Sequence, residues 1–199
     1  GMDTGLKLSG SAIDPSGSIT YKLPKFSGLQ LGGSYNPRSG ASSNADGGTS
    51  EGSGKKGWEF AADWSPEMVP GLRVGGVIGQ CEDCKAANKD LDEETFFATY
   101  AYGPLSIGYQ VAEVDDGTKN YDTDIYGVSF NVNDALSVSY QYGETTGYGG
   151  SYNKAEFEGI SAAYNIGPMA IKFTDNSGTD MNGTSNDDDN RELNLSMSF

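Results

Sequence analysis

The chain has 199 residues, 28 acidic against 13 basic, and therefore a formal charge of -15 at pH 7; this excludes a phosphate-binding basic surface and makes nucleic acid a poor partner. Apolar residues reach only 36%, which is thin for a packed core, yet 29 glycines and 12 tyrosines argue for an ordered all-β chain rather than disorder. No histidine is present, so imidazole acid–base catalysis and the common catalytic triads are excluded, and no G-x-S-x-G nucleophile motif points to an enzyme.

Taken in chain order, the predicted elements are strands, because apolar residues recur with period two. Leu6 and Leu8 alternate with Lys7 and Ser9, then Ile19, Tyr21 and Leu23 with Thr20 and Lys22. Leu29, Leu31 and Tyr35 oppose Gln30 and Ser34; Trp58, Phe60, Ala62 and Trp64 oppose Glu59 and Asp63. Leu72, Val74 and Ile78 alternate with Arg73 and glycines, whereas Thr95–Tyr102 is ambiguous because Phe96 and Phe97 fall on opposite faces. Leu105–Val111, Tyr126–Val132, Leu136–Tyr142, Ile160–Ile166 and Met169–Phe173 alternate cleanly. The chain closes on RELNLSMSF, where Leu193, Leu195, Met197 and Phe199 share one face. Twelve strands are expected.

The connections alternate as well. PKFSG, SPEMVPG, the Gly103-Pro104 step, NVND and IGP are short, whereas a Gly/Ser tract from Arg38 to Lys56, EDCKAANKDLDEE, EVDDGTKNYDT, GETTGYGGSYNK and TDMNGTSNDDDN are long or acidic. Successive connections of an up-and-down sheet lie at opposite ends, so one end carries turns and the other carries loops. That asymmetry, on strands oily on one side only, is the pattern of an up-and-down antiparallel transmembrane β-barrel of about twelve strands. Lipid offers the backbone no hydrogen-bond partner, so a spanning sheet closes on itself. Residues 1–199 read as one domain, with Gly1 as an expression scar.

The polar face carries Lys7, Lys22, Glu59, Asp63, Arg73 and Lys172, with Glu158 and Glu192 as further inward candidates. Charges inside a dry core would each need a partner; a water-filled lumen removes that demand, so these residues are expected to line a pore, either setting up a transverse field or pairing to brace the wall. Tyr35, Trp58, Trp64, Leu195, Met197 and Phe199 are the expected lipid-side and girdle positions; Tyr and Trp are also enriched in any strand. The cysteines, Cys81 and Cys84 in CEDC, suit a loop disulfide or two inert thiols better than a redox pair or half a zinc site. No cofactor is expected, save for Ca²⁺ held by acidic loop residues such as Asp187, Asp188 and Asp189, or by Asp90, Asp92, Glu93 and Glu94.

The stretch SITYKLPKFSGLQLGGSYNP, Ser18 to Pro37, resembles the Gram-negative general porins, in particular the alphaproteobacterial type, and RELNLSMSF is similar to their C-terminal strand with its aromatic last residue. The resemblance implies a bacterial outer-membrane channel for passive diffusion of small hydrophilic solutes and ions, and a homotrimer. General porins have sixteen strands and a constriction loop ahead of the SI-x-Y strand. That strand starts here at residue 18, so the chain is either a C-terminal portion of a porin or a smaller twelve-stranded relative, and no constriction-loop acid is carried over. The acidic excess predicts a mild cation preference. The competing readings are a non-conducting structural or adhesive barrel and a soluble ligand-binding β-barrel.

Overall fold

The computed structural model describes residues 19–39, 55–86, 89–149 and 153–197. Eleven strands run in chain order: β1 (Ile19–Lys22), β2 (Leu29–Ser39), β3 (Lys55–Trp64), β4 (Leu72–Ala86), β5 (Lys89–Tyr102), β6 (Leu105–Asp115), β7 (Asn120–Asn131), β8 (Leu136–Thr146), β9 (Lys154–Ile166), β10 (Met169–Thr179) and β11 (Asp188–Met197). Each is hydrogen-bonded to its neighbours in sequence, in the order β1 to β11, giving an antiparallel up-and-down sheet. The expected strand around Leu6, with Lys7, lies outside the described residues, as does Phe199.

The turn end follows the sequence closely. Phe26 and Leu29 bridge across Ser27 and Gly28, both at positive φ, as a two-residue hairpin of the I′ kind demands. Gly103 and Gly167 each adopt φ 56° just before a proline, closing β5–β6 and β9–β10 in two residues. Between β7 and β8, the Asn133 side-chain oxygen accepts the Ala135 and Leu136 N–H groups, both at 2.9 Å.

At the loop end two connections differ from expectation. EDCKAANKDLDEE is not a long loop: β4 runs to Ala86 and β5 starts at Lys89. EVDDGTKNYDT shrinks to Asp116–Lys119, closed by Asp116 Oδ1 accepting from Thr118 and Lys119. The reason is strand length. About nine to eleven residues cross a bilayer, whereas β4 and β5 have 15 and 14, so acidic sequence read as loop is paired backbone beyond the apolar band.

Two compact units can be distinguished by contact. Among the described residues, one comprises those up to Phe97 together with Ala112–Tyr121; the other comprises Ala98–Val111 and those from Asp122 onward. Neither has a conventional core. Among the described residues the buried apolar side chains are Val77, Cys81, Leu91 and Ala155, while Ile19, Phe26, Tyr126, Ile160 and Leu193 are exposed, Leu193 to 73%. The hydrophobic residues face outward.

Candidate functional site

Paired residues on neighbouring strands share a face, so the register assigns faces directly. In the first unit Thr20 pairs with Ser34, Ser34 with Glu59, and Glu59 with Gly79; Gln30 pairs with Asp63, and Asp63 with Gly75. The polar residues therefore form one continuous face. The opposite face carries Tyr21, Leu29, Leu31, Tyr35, Trp58, Phe60, Trp64, Val74 and Ile78.

Charges on the polar face are seated against glycines. The Lys22 stem crosses Gly32, and Glu59 lies over Gly79 while accepting the Ser34 hydroxyl at 3.2 Å. Asp63 and Arg73 form a fork: Arg73 Nε donates to both carboxylate oxygens, at 3.2 and 2.9 Å, and Nη2 donates to Oδ2. The guanidinium also sits 5.2 Å from the Phe97 ring centroid, within cation–π range. Two expected pore residues are thus a braced pair on one wall.

Sequence reading missed what lies beside them. Leu91, Glu93 and Thr95 are buried, and Phe97 continues their side of β5. Glu93 is therefore a polar-face carboxylate and not a loop acid, while Asp92 and Glu94 point the other way and are exposed. The alternation Leu91–Glu93–Thr95–Phe97 was present in the sequence but hidden by the acidic run. Cys81 is fully buried on the polar face beside Leu91, with Val114 packed against both, and is disulfide-bonded. The side chain of Cys84 lies outside the described residues.

In the second unit Lys172 pairs with Ala163 and Asn194 on the polar face and makes no ion pair among the described residues. Glu192, paired with Thr174, lies on the same face and accepts Asn190 and Asn194 amides at 3.4 Å each. Glu158 is a correction: it pairs with Tyr142 on the outward face, and its carboxylate accepts the Tyr140 hydroxyl at 2.8 Å. A recess of about 570 Å³ opens on the polar face, lined among others by Ser139, Gln141, Phe157, Ser161 and Asn176.

The girdle residues face outward. Tyr35 pairs with Trp58, and Trp64 with Leu29; Trp58 donates to Gln80 at 3.4 Å and Trp64 to the Ser27 carbonyl at 3.3 Å. Leu195 and Met197 pair with Ile171 and Met169. Toward the loop end the outward face turns polar. Tyr109 donates to Asp124, and Tyr142 to Glu156 at 2.7 Å. Lys154, above the apolar residues of β9, pairs with Glu144 at 2.8 Å and Glu156 at 2.7 Å. Those hydrogen bonds raise the Lys154 ammonium above its ordinary value, while Lys154 and then Tyr142 hold Glu156 below its own.

The Ca²⁺ expectation at Asp187, Asp188 and Asp189 is not met. Strand alternation sends Asp188 to the side of Gly178 and Asp189 to the side of Ser177, while Asp187 accepts the Asp180 N–H at 3.2 Å. Three carboxylates cannot converge from opposite faces, and among the described residues no group of three or more His, Cys, Asp or Glu could hold a metal.

A family model described as Gram-negative porin matches residues 2–179. The chain belongs to the Gram-negative porin family. Its fold is that of the outer-membrane barrels: OmpF of Salmonella typhi, in complex with daunomycin, superposes with a TM-score of 0.68 at 13% identity, over 90% of this chain and 61% of that one. A second porin structure gives 0.66 at 14% identity, over 92% and 60%. OmpT of Vibrio cholerae in its trimer form gives 0.54 at 13%, over 89% and 61%. No curated protein sequence matches. This porin thus spans about three fifths of the length of the solved structures it resembles, and the outer membrane is its location.

Proposed function

We propose that this porin forms a water-filled channel for passive diffusion of small hydrophilic solutes and ions, with a mild cation preference. The observation that carries this reading is the inversion of its faces. In each unit large apolar side chains are exposed on one side of the sheet, while the other side carries Lys22, Glu59, Asp63 and Arg73 in the first unit and Lys172 and Glu192 in the second. Lipid suits the first face and water the second. The cation preference rests on the excess of 28 acidic over 13 basic residues, which concentrates cations within a Debye length of about 8 Å. Residues 1–199 act as a single domain in this reading, and a homotrimer fits the trimer form of OmpT. Planar-bilayer recording of the detergent-refolded chain tests it: discrete conductance steps and a cation-selective reversal potential are expected, and an anion-selective channel would refute the preference. A non-conducting structural barrel is the second reading. It draws on the buried patch of Cys81, Leu91 and Val114 on the polar face, which fills space a pore would leave open.

A further inference from the structure

The β1–β2 hairpin carries a register shift that the alternation of its residues does not foretell. Ile19 to Lys22 pair with Tyr35 to Gly32, and the Leu23 N–H continues that ladder to the Leu31 carbonyl at 2.9 Å. The pairing then slips by one residue, so that Leu29 faces Phe26 rather than Lys25, with backbone bonds of 2.9 and 2.8 Å. An extra residue at Pro24-Lys25 is a β-bulge, a device that re-aims side chains, and Pro24 suits it because it has no N–H to leave unpaired. Without the slip, Phe26 would share the polar face with Thr20 and Lys22. With it, Phe26 stands in the outward row of Leu29, Trp64 and Val74.

The β3–β4 connection locks onto this hairpin. The Ser65 N–H donates to the Gly28 carbonyl at 3.0 Å, Trp64 Nε1 donates to the Ser27 carbonyl at 3.3 Å, and a methyl group at Gly28 would run into the Ser65 carbonyl. Two successive turns follow. Val69 N–H closes the first on the Pro66 carbonyl at 3.2 Å; Leu72 N–H closes the second on the Val69 carbonyl at 3.1 Å, with Pro70 ahead of Gly71 at φ 89°. Pro66 is buried at their root, and Met68 is 84% exposed at their tip. Phe26, at 78%, comes next among the large apolar side chains of the described residues. Turns fixed by two prolines hold out an apolar surface already ordered for contact.

Each connection also offers one charge. Lys25 and Glu67 are exposed, and neither makes an ion pair among the described residues. The other charges at this end of β1 to β4 are Lys22 and the Asp63–Arg73 pair, which belong to the polar face. The outward side of the two turns therefore presents one cation, one carboxylate and two large apolar side chains.

We infer that these interlocked turns dock a phospholipid whose headgroup carries both a phosphate and a primary ammonium, with the phosphate on Lys25, the ammonium on Glu67, and Phe26 and Met68 beside its acyl chains. Short turns of an outer-membrane barrel lie on the periplasmic side, so the leaflet concerned is the periplasmic one. Two observations select this occupant: the row holding Phe26 is continuous with the lipid-facing side of the sheet, and the paired charges complement a headgroup of both signs. An anionic headgroup would set its charge against Glu67, and a quaternary ammonium has no N–H for that carboxylate. The inference goes beyond the channel reading, since it needs the outer-membrane location and not conduction.

Trp64 reports on this site through its bond to the Ser27 carbonyl, and Trp58→Phe removes the other of the two tryptophans. The test is quenching of Trp64 fluorescence in the refolded 199-residue chain, in phosphatidylcholine vesicles doped with lipid brominated near its acyl carbonyls and carrying an ethanolamine, glycerol or choline headgroup. The ethanolamine lipid is expected to compete about threefold better than either other, the scale of an exposed ion pair. Glu67→Gln should make the glycerol headgroup the best of the three, whereas Lys25→Gln should weaken it further. Phe26→Ser and Met68→Ser should each raise quenching by aqueous iodide. Both charge variants change exposed side chains and should keep the heat-modifiable gel shift that reports folding, so the test stands even if an apolar variant fails to fold. Equal quenching by the three headgroups, a glycerol preference with Lys25 and Glu67 both intact, or charge variants indistinguishable from Trp58→Phe alone overturns the inference. Strong iodide quenching with weak lipid quenching overturns it too, because the turns would then stand in water, open to a soluble partner.

Discussion

The Asp63–Arg73 pair offers the sharpest test of the pore wall. Arg73→Gln removes one positive charge and leaves Asp63 uncompensated; Asp63→Asn does the reverse. Both side chains are partly exposed, at 25% and 32%, so their charges reach the aqueous side. A unit charge acts on an ion about 8 Å away in water with about 0.5 kcal/mol, reduced by one Debye length of screening to about 0.2 kcal/mol. Cation and anion feel opposite signs, so the cation-to-anion permeability ratio moves by about 0.4 kcal/mol, or twofold. Arg73→Gln is therefore expected to raise the ratio about twofold and Asp63→Asn to lower it by as much, read as reversal potentials across a salt gradient. The double variant restores wild-type selectivity, because its net charge is unchanged and the two effects belong to one pair. Reversal potentials that stay put in both single variants, or shift the same way in both, would refute the placement of this pair on the conducting face.

Gly75→Val should destabilise the folded barrel by about 1–3 kcal/mol, since its Cβ would lie 2.6 Å from the Ala62 carbonyl and 2.7 Å from Phe97; urea unfolding in lipid vesicles measures this, and a neutral result would mean that Phe97 does not lie across this wall. Gly103→Ala meets no atom within 4 Å yet must hold φ 56°, so it should cost about 1–2 kcal/mol from backbone strain alone. The Lys154–Glu144–Glu156 cluster predicts two pH limits. Glu156, held below its ordinary value, contributes stability that is present above the unfolded carboxylate value and lost as pH falls through the folded one. Lys154, raised, contributes stability that is present below the ordinary lysine value and lost as pH rises through the raised one. The difference in gel-shift temperature between wild type and Glu156→Gln should therefore exist near neutrality and vanish on acidification, and a difference constant with pH would contradict the pairing.

Faces were legible in the sequence because period-two alternation is the signal that decides them. Trp58, Phe60 and Trp64 against Glu59 and Asp63 needed no neighbour to be sorted, and the pairings bear that sorting out. Boundaries and partners were less legible. Glu93 looked like a loop acid because charge density normally marks solvent, yet continued pairing beyond the apolar band carried it onto the polar face. Charge alone places Glu158 inward, whereas its parity with Ile160 and Tyr164 puts it outside, where Tyr140 satisfies it. Both errors have one cause. Near the loop end the outside of the barrel is no longer lipid, so charge ceases to report which face a residue is on.

The upper limit of the apolar band is marked by where outward residues turn from apolar to charged. Along β9 the outward residues change from Ile166, Tyr164, Ala162 and Ile160 to Glu158, Glu156 and Lys154. On β8 the change falls between Tyr140, Tyr142 and Glu144, and on β10 between Phe173 and Asp175. Tyr140 and Tyr142 straddle it, each with its ring beside the apolar residues and its hydroxyl on a carboxylate. A tyrosine gains most where one end is apolar and the other wet. On β11 the boundary falls between Leu193 and Arg191, whose guanidinium meets Asp175 at 3.1 Å. Four consecutive strands therefore agree on one level, set by hydrogen bonds that could not be satisfied in hydrocarbon. From that level down to Met169 and Met197 at the turn end, the outward face of β10 and β11 carries no charged residue, because Phe173, Ile171, Leu193 and Leu195 complete it.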